Sequence, residues 1–227
     1  MMIAFSRRRT QAAAAIGILL LASTGWSTYA FGQTTDETPL QRELAKVDLG
    51  VSAAGIFSKN TSGVNYLGQS VNERPSNTVG VLVNLRYTHS PPLGAELNYL
   101  YSRRTELYTL SASPSILGVQ TNATEYSAGY LVHTRNQYFG VQPYASAGLG
   151  VLSFKPTPGG GQGLPKEPVA VYYYSVGVEN NVFDSHFGYR IGLRQTFNLA
   201  PDFLQNYLST GKSTFTVQPT VGFYARF

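Results

Sequence analysis

The sequence predicts an all-β fold, an eight-stranded antiparallel up-and-down transmembrane β-barrel, and three observations lead there. Eight runs alternate apolar with polar or small residues at a period of two, the pattern of strands whose faces meet different surroundings. The links between these runs are alternately short and long, as an even-numbered barrel with both termini on one side requires. Charged residues make up only 13% of the chain, against 16 tyrosines and 23 glycines. That balance suits a wall facing lipid, with rings gathered at its rims. A sheet crosses hydrocarbon only when closed, because an open edge would leave backbone groups unpaired.

The first thirty residues read as an export signal. Arg7, Arg8 and Arg9 form its basic start, Ala12 to Ala22 its apolar run, and Thr28-Tyr29-Ala30 a small-residue cleavage site, with Gly32 also fitting. The apolar run is shorter than the roughly 20 residues a membrane helix needs. Residues 31–45 read as a periplasmic N-terminal linker and residues 46–227 as the barrel. The formal charge of +5 falls to +2 without the three signal arginines. A polyanion-binding role, nucleic acid included, thereby loses its support. Cysteine is absent, so disulfides, thiolate metal sites and lipoprotein acylation are excluded together.

The runs follow in order. Val47–Ser58 carries Val47, Leu49, Val51, Ala53 and Phe57 on one face. Residues 78–88 set Val79, Val81, Val83, Leu85 and Tyr87 against Gly80, Asn84 and Arg86. Residues 93–103 set Leu93, Ala95, Leu97, Tyr99 and Tyr101 against Glu96, Asn98 and Ser102, and 124–134 turn Tyr126, Ala128, Tyr130 and Val132 outward. Residues 138–154 pair Phe139, Val141, Ala145, Leu149 and Val151 with an inner face of small residues. Residues 169–179 turn Tyr172, Tyr174 and Val176 outward and Ser175, Gly177 and Glu179 inward. Residues 186–197 oppose Phe187, Tyr189, Ile191 and Leu193 to Gly188, Arg190, Gly192 and Arg194. Residues 214–227 end the chain with Phe215, Val217, Val221, Phe223 and Phe227 outward. Short links are expected at 89–92, 135–137 and 180–185, and long loops at 59–77, 104–123, 155–168 and 198–213. One or two helical turns are expected over 201–208.

Eight strands enclose an interior just wide enough for side chains to fill it. The inward positions Arg86 and Glu96 lie on adjacent strands, as do Glu179, Arg190 and Arg194. An internal salt-bridge network is therefore expected, since buried ions persist only when paired. Tyr87, Tyr99, Tyr101, Tyr126, Phe187 and Tyr189 read as aromatic girdle residues at the membrane interfaces. Alternation alone does not say which face looks out. A soluble lipocalin-like barrel, with apolar side chains inside, is the structural alternative.

The closing run Val221-Gly222-Phe223-Tyr224-Ala225-Arg226-Phe227 resembles the last strand of bacterial outer-membrane barrels, which ends in phenylalanine. Gln142-Pro143-Tyr144-Ala145-Ser146-Ala147-Gly148-Leu149-Gly150 resembles a strand of the OmpA-like, OmpX-like and opacity-protein barrels. Tyr174 to Glu179 with Gly188-Tyr189-Arg190-Ile191-Gly192-Leu193-Arg194 resembles their next hairpin. The resemblance spans roughly residues 46 to 227. It implies outer-membrane lipid and lipopolysaccharide as surroundings. It also implies that Val221, Phe223 and Phe227 form the signal read by the barrel assembly machinery. Envelope-tethering members carry a further periplasmic domain, and a chain stopping at Phe227 is not expected to tether.

The expected function is a non-enzymatic integral outer-membrane barrel whose exposed loops serve surface interaction or envelope integrity. A narrow pore for ions or small molecules is the alternative, since inward glycines reduce the interior bulk. A lipid A-modifying enzyme ranks below both. Such chemistry needs a base beside a nucleophile near the outer leaflet, whereas His89, His133 and His186 fall at periplasmic strand ends. No catalytic, metal or cofactor site is expected.

Overall fold

The computed structural model describes residues 38–90, 92–111, 113–184 and 186–227. The expected signal, 1–30, and the first part of the expected linker, 31–37, lie outside the described residues. Where the rest of that linker was expected, Pro39–Leu44 forms a short helix, α1. Thr38 caps it: its backbone N–H donates to Gln41 Oε1 at 2.9 Å, and Gln41 N–H donates back to Thr38 Oγ1 at 3.4 Å. Pro39 opens the helix, where its missing N–H costs nothing.

Ten strands follow: β1 Val47–Ser58, β2 Thr61–Val64, β3 Ser70–Pro75, β4 Thr78–Ser90, β5 Leu93–Leu110, β6 Ser113–His133, β7 Gln142–Pro156, β8 Glu167–Asp184, β9 Phe187–Leu199 and β10 Ser213–Arg226. Eight of them close a ring in the order β5-β4-β1-β10-β9-β8-β7-β6, and β6 pairs back onto β5. Every pairing is antiparallel, and the closing register runs from Leu93 opposite Val132 to Leu110 opposite Ser113. The termini meet where Asp48 lies opposite Arg226.

The two faces are cleanly separated. Val51, Leu97, Leu149, Val176, Ile191 and Val221 are exposed on the outside, whereas Asn84, Arg86, Glu96, Glu125, Arg190 and Arg194 are buried inside. A soluble barrel would show the opposite arrangement, so the lipocalin-like alternative falls.

Four elements differ from the sequence reading. Residues 104–123 are not a long loop, because β5 and β6 run on through them as a tall hairpin. Residues 59–77 contain the β2–β3 hairpin, whose second strand pairs with the far part of β5 from Val71 opposite Leu110 to Pro75 opposite Glu106. Tyr138 to Val141 form a tight turn rather than the start of a strand. Tyr138 and Val141 exchange both backbone hydrogen bonds, and positive φ at Phe139 and Gly140 matches the right-handed twist of a hairpin. Residues 201–208 form successive turns instead of helix, with Phe203 and Leu204 both at positive φ.

Candidate functional site

The inward side chains form tiers along the barrel. The tier nearest the termini gathers residues from seven strands. The Arg190 guanidinium spans three partners: Nε to Glu179 Oε2 at 2.9 Å, Nη2 to Asp48 Oδ1 at 3.1 Å and Nη1 to Asn84 Oδ1 at 3.0 Å. Arg86 places Nε 2.9 Å from Glu96 Oε2 and Nη1 3.3 Å from Glu179 Oε2. Glu96 Oε1 also accepts from Ser146 Oγ at 2.8 Å, Tyr173 Oη at 2.9 Å and Asn98 Nδ2 at 3.1 Å. His133 Nε2 lies 3.1 Å from Glu179 Oε1. A cavity of about 360 Å³ opens below this tier, lined among others by Lys46, His89, His133, Gln142, Glu179 and Arg226.

Arg194 belongs to the next tier and does not join Glu179. It pairs with Glu125, with Nη1 3.2 Å from Oε2, and donates to Gln218 Oε1 at 2.8 Å and Ser127 Oγ at 3.2 Å. Ala54, Ile56, Leu82 and Leu100 form a buried apolar patch on β1, β4 and β5.

Tyrosine rings lie against the guanidinium groups. Tyr144 lies 4.4 Å from the Arg86 guanidinium carbon, Tyr173 lies 4.2 Å from that of Arg194, and Tyr224 lies 4.6 Å from that of Arg190. Inward glycines make the room. A Cβ at Gly192 or Gly177 would come within 2.6 Å of the Tyr144 hydroxyl, and one at Gly148 within 2.7 Å of the Tyr173 ring.

The end far from the termini is closed by a dome. Val71 on β3, Tyr108 on β5, Val119 on β6, Phe154 on β7, and Phe203 and Leu208 from the 200–212 loop pack into one buried cluster. Tyr108 Oη donates to Pro201 O at 2.6 Å, and Glu167 accepts the backbone N–H groups of Asp202 and Phe203. Within the dome Arg104 Nε lies 2.6 Å from Glu106 Oε1, and Thr61 Oγ1 donates to Glu73 Oε2 at 3.0 Å. Burial, reinforced by Glu106, pushes the Glu73 carboxyl up to about 8. Burial also raises Glu106, Glu167 and the Tyr108 hydroxyl.

On the outside, Tyr99 and Tyr126 meet at 5.2 Å between ring centres, and Tyr101 donates to Asn122 at 3.3 Å. These three lie toward the dome. Tyr87, Phe187 and Tyr189 lie toward the terminal end, where Tyr87 Oη donates to Glu43 of α1 at 2.7 Å. Val221 and Phe223 are exposed on the outer face of the closing strand, and Phe227, one residue past its end, is exposed as well.

The sequence reading set Asp48 on the polar face of its strand but left it, Glu125 and His133 out of the lumen network, though all three share the inward parity of their strands. It also missed Glu73, Arg104, Glu106 and Glu167, which lie in segments read as loops or their edges. Among the described residues no group of three or more acidic or histidine side chains is placed to hold a metal ion.

The sequence matches no protein-family model and no curated protein. Among solved structures it is similar to Neisserial surface protein A, at 14% identity and a TM-score of 0.54 over 80% of this chain and 97% of that one. It also matches Ail of Yersinia pestis, solved with the heparin analogue sucrose octasulfate (16% identity, TM-score 0.44, 80% and 97% covered). A third match is the N-terminal β-barrel domain of Pseudomonas aeruginosa OprF (16% identity, TM-score 0.40, 78% and 96% covered). With its closed antiparallel ring and outward apolar faces, the chain has the fold of the small eight-stranded outer-membrane barrels.

Proposed function

We propose that this protein is an integral outer-membrane barrel without catalytic activity, a scaffold that holds its dome and loops out to lipopolysaccharide, a surface or another protein. The observation that carries this reading is the division of the wall. Valine, leucine and isoleucine cover its outside, while the inside is filled by arginine–carboxylate pairs and tyrosine rings. Such a wall is stable only with acyl chains around it. A filled lumen with a capped far end favours display over conduction.

In this reading Tyr99, Tyr101 and Tyr126 anchor the outer interface, and Tyr87, Phe187 and Tyr189 the inner one. Val221, Phe223 and Phe227 serve as the closing-strand signal for the assembly machinery after export through the periplasm. The segment 157–166 packs Leu164 against the dome cluster and leaves Gly159, Gly163 and their neighbours as the natural contact surface.

The test is migration on gels of protein from a purified outer-membrane fraction, boiled and unboiled. A folded barrel migrates differently from the heated chain. Recovery in the soluble periplasmic extract overturns the proposal. A second arm deletes residues 158–163. Insertion is expected to persist while adhesion or lipopolysaccharide contact changes, and loss of insertion would make the loop a structural part instead.

A further inference from the structure

The dome holds more buried acid than base. Glu73 and Glu106 are both 0% exposed. They face inward from the paired strands β3 and β5, where Glu73 lies opposite Tyr108 and Glu106 opposite Pro75, one pleat apart. Oε2 of Glu106 and Oε1 of Glu73 meet no hydrogen-bond donor, while Oε1 of Glu106 faces Arg104 Nε. Arg104 is the cation beside them, and it divides itself between Glu106 at 2.6 Å, Ser58 Oγ at 3.1 Å and the Phe154 ring at 4.7 Å. The other titratable groups facing the pair are the Tyr108 hydroxyl and Glu167, with Asp202 beside Glu167.

Two carboxylates in an apolar chamber cannot both stay ionised against one shared guanidinium. A carboxylic acid, in contrast, brings the O–H donor that the orphaned oxygens lack. Burial raises both carboxyls, and Arg104 against Glu106 favours the anion there, so Glu73, whose Oε1 meets no donor, is the better seat for the shared proton. The hydrophobic walls (Val71, Tyr108, Val119, Phe154) exclude the water that would otherwise solvate a second charge.

We propose that the dome is a proton-operated latch in which Glu73 and Glu106 share one proton, and that losing it loosens the β2–β3 hairpin and the 200–212 loop from the barrel mouth. The latch is a property of the fold and does not depend on what the loops bind. Its sign follows from linkage. A carboxyl raised in the closed dome stabilises closure most at low pH. That stability is lost as pH climbs from the ordinary value of 4.5 to about 8, and levels off above it. One linked proton corresponds to a change of about tenfold per pH unit inside that window.

The experiment is hydrogen exchange read by mass spectrometry on the full barrel in lipid vesicles, between about pH 5 and pH 9, corrected for the intrinsic pH dependence of exchange. Protection of β2 and β3 amides is expected to fall about tenfold per unit up to about pH 8 and then flatten. Amides of β9 and β10 should show no such slope. In Glu73→Gln the slope in β2 and β3 should vanish. In Glu106→Gln the break should move to lower pH, because the neighbouring charge that raises Glu73 is gone. A flat wild-type profile overturns the proposal, as does a slope that survives in Glu73→Gln. Should Glu73→Gln fail to insert, Glu106→Gln decides alone, and an unmoved break sinks the latch.

Discussion

His133 Nε2 on β6 and Glu179 Oε1 on β8 lie 3.1 Å apart inside the barrel, although they are 46 positions apart in the chain. The strand of β7 that separates them contributes Tyr144, whose ring lies beside His133 and against Arg86. Glu179 is the hub of the tier nearest the termini, because Arg86, Arg190 and His133 all converge on its two oxygens.

Removing that hub takes the shared anion from two buried guanidinium groups and leaves Arg86 to Glu96 and Arg190 to Asp48. Glu179→Gln keeps the shape and loses the charge, so the barrel is expected to lose about 1.5–3 kcal/mol against urea in lipid vesicles. Arg194→Gln acts in the adjacent tier on Glu125 and should add to Glu179→Gln without strong coupling. Near-wild-type stability of Glu179→Gln would mean that the lumen pairs contribute little to the fold.

The inward glycines give a second measurable contrast. At Gly148 an added Cβ would run into the backbone of Ala128 and Gly129 on β6, which cannot rotate away. At Gly192 it would meet the tip of Tyr144 at 2.6 Å, a side chain able to shift at the expense of its contact with Arg86. At Gly118 the nearest atom is 3.5 Å off, an ordinary contact. Gly148→Ala is therefore expected to cost about 1–3 kcal/mol, Gly192→Ala less, and Gly118→Ala to be tolerated. Urea midpoints of the three variants in vesicles check the ranking.

The barrel was legible wherever the two faces of a strand meet different surroundings. Val81, Val83 and Leu85 beside Asn84 and Arg86 give β4 away, and the same contrast marks the membrane-facing part of every barrel strand. Above that band the contrast vanishes. On β5 and β6, Arg103, Thr105, Gln120 and Asn122 point out to solvent while Arg104, Glu106 and Thr121 point into the dome, so polar residues occupy both faces and the segment looked like a loop. The same loss of contrast hid β2 and β3. The ion pairs were readable only as parity. Which arginine meets which carboxylate depends on the stagger of the ring, and this brings Glu125 to Arg194 across the lumen although they lie on non-adjacent strands. The turns at 201–208 looked helical because Pro-Asp opens the segment. Phe203 and Leu204 instead take left-handed conformations, which leads Phe203 into the dome.

That loop is tied down at one acidic residue. Glu167 accepts the N–H groups of Asp202 and Phe203, and these two bonds offset the strain of consecutive positive φ values at Phe203 and Leu204. Glu167→Ala removes both acceptors. Hydrogen exchange of the 202–208 amides is expected to quicken by roughly tenfold or more, corresponding to about 1–3 kcal/mol, while β9 and β10 keep their protection. Unchanged exchange in the loop would place its anchorage in the apolar contacts of Phe203 and Leu208 alone.

The outer wall offers the sharpest test of the membrane reading. Leu97 is 57% exposed and lies opposite Leu85 on β4 and Ala128 on β6, in the middle of the apolar band. In water an arginine there would be near neutral for stability, since surface substitutions rarely exceed ~0.5 kcal/mol. In the centre of a bilayer the same side chain costs about 2–4 kcal/mol. Leu97→Arg is thus expected to destabilise the barrel in vesicles by that amount. Thr105→Arg, on the same outward face of β5 but above the band, should be tolerated. Equal effects at the two positions would remove the lipid boundary from between them, and with it the assignment of Tyr99 and Tyr101 to the outer interface.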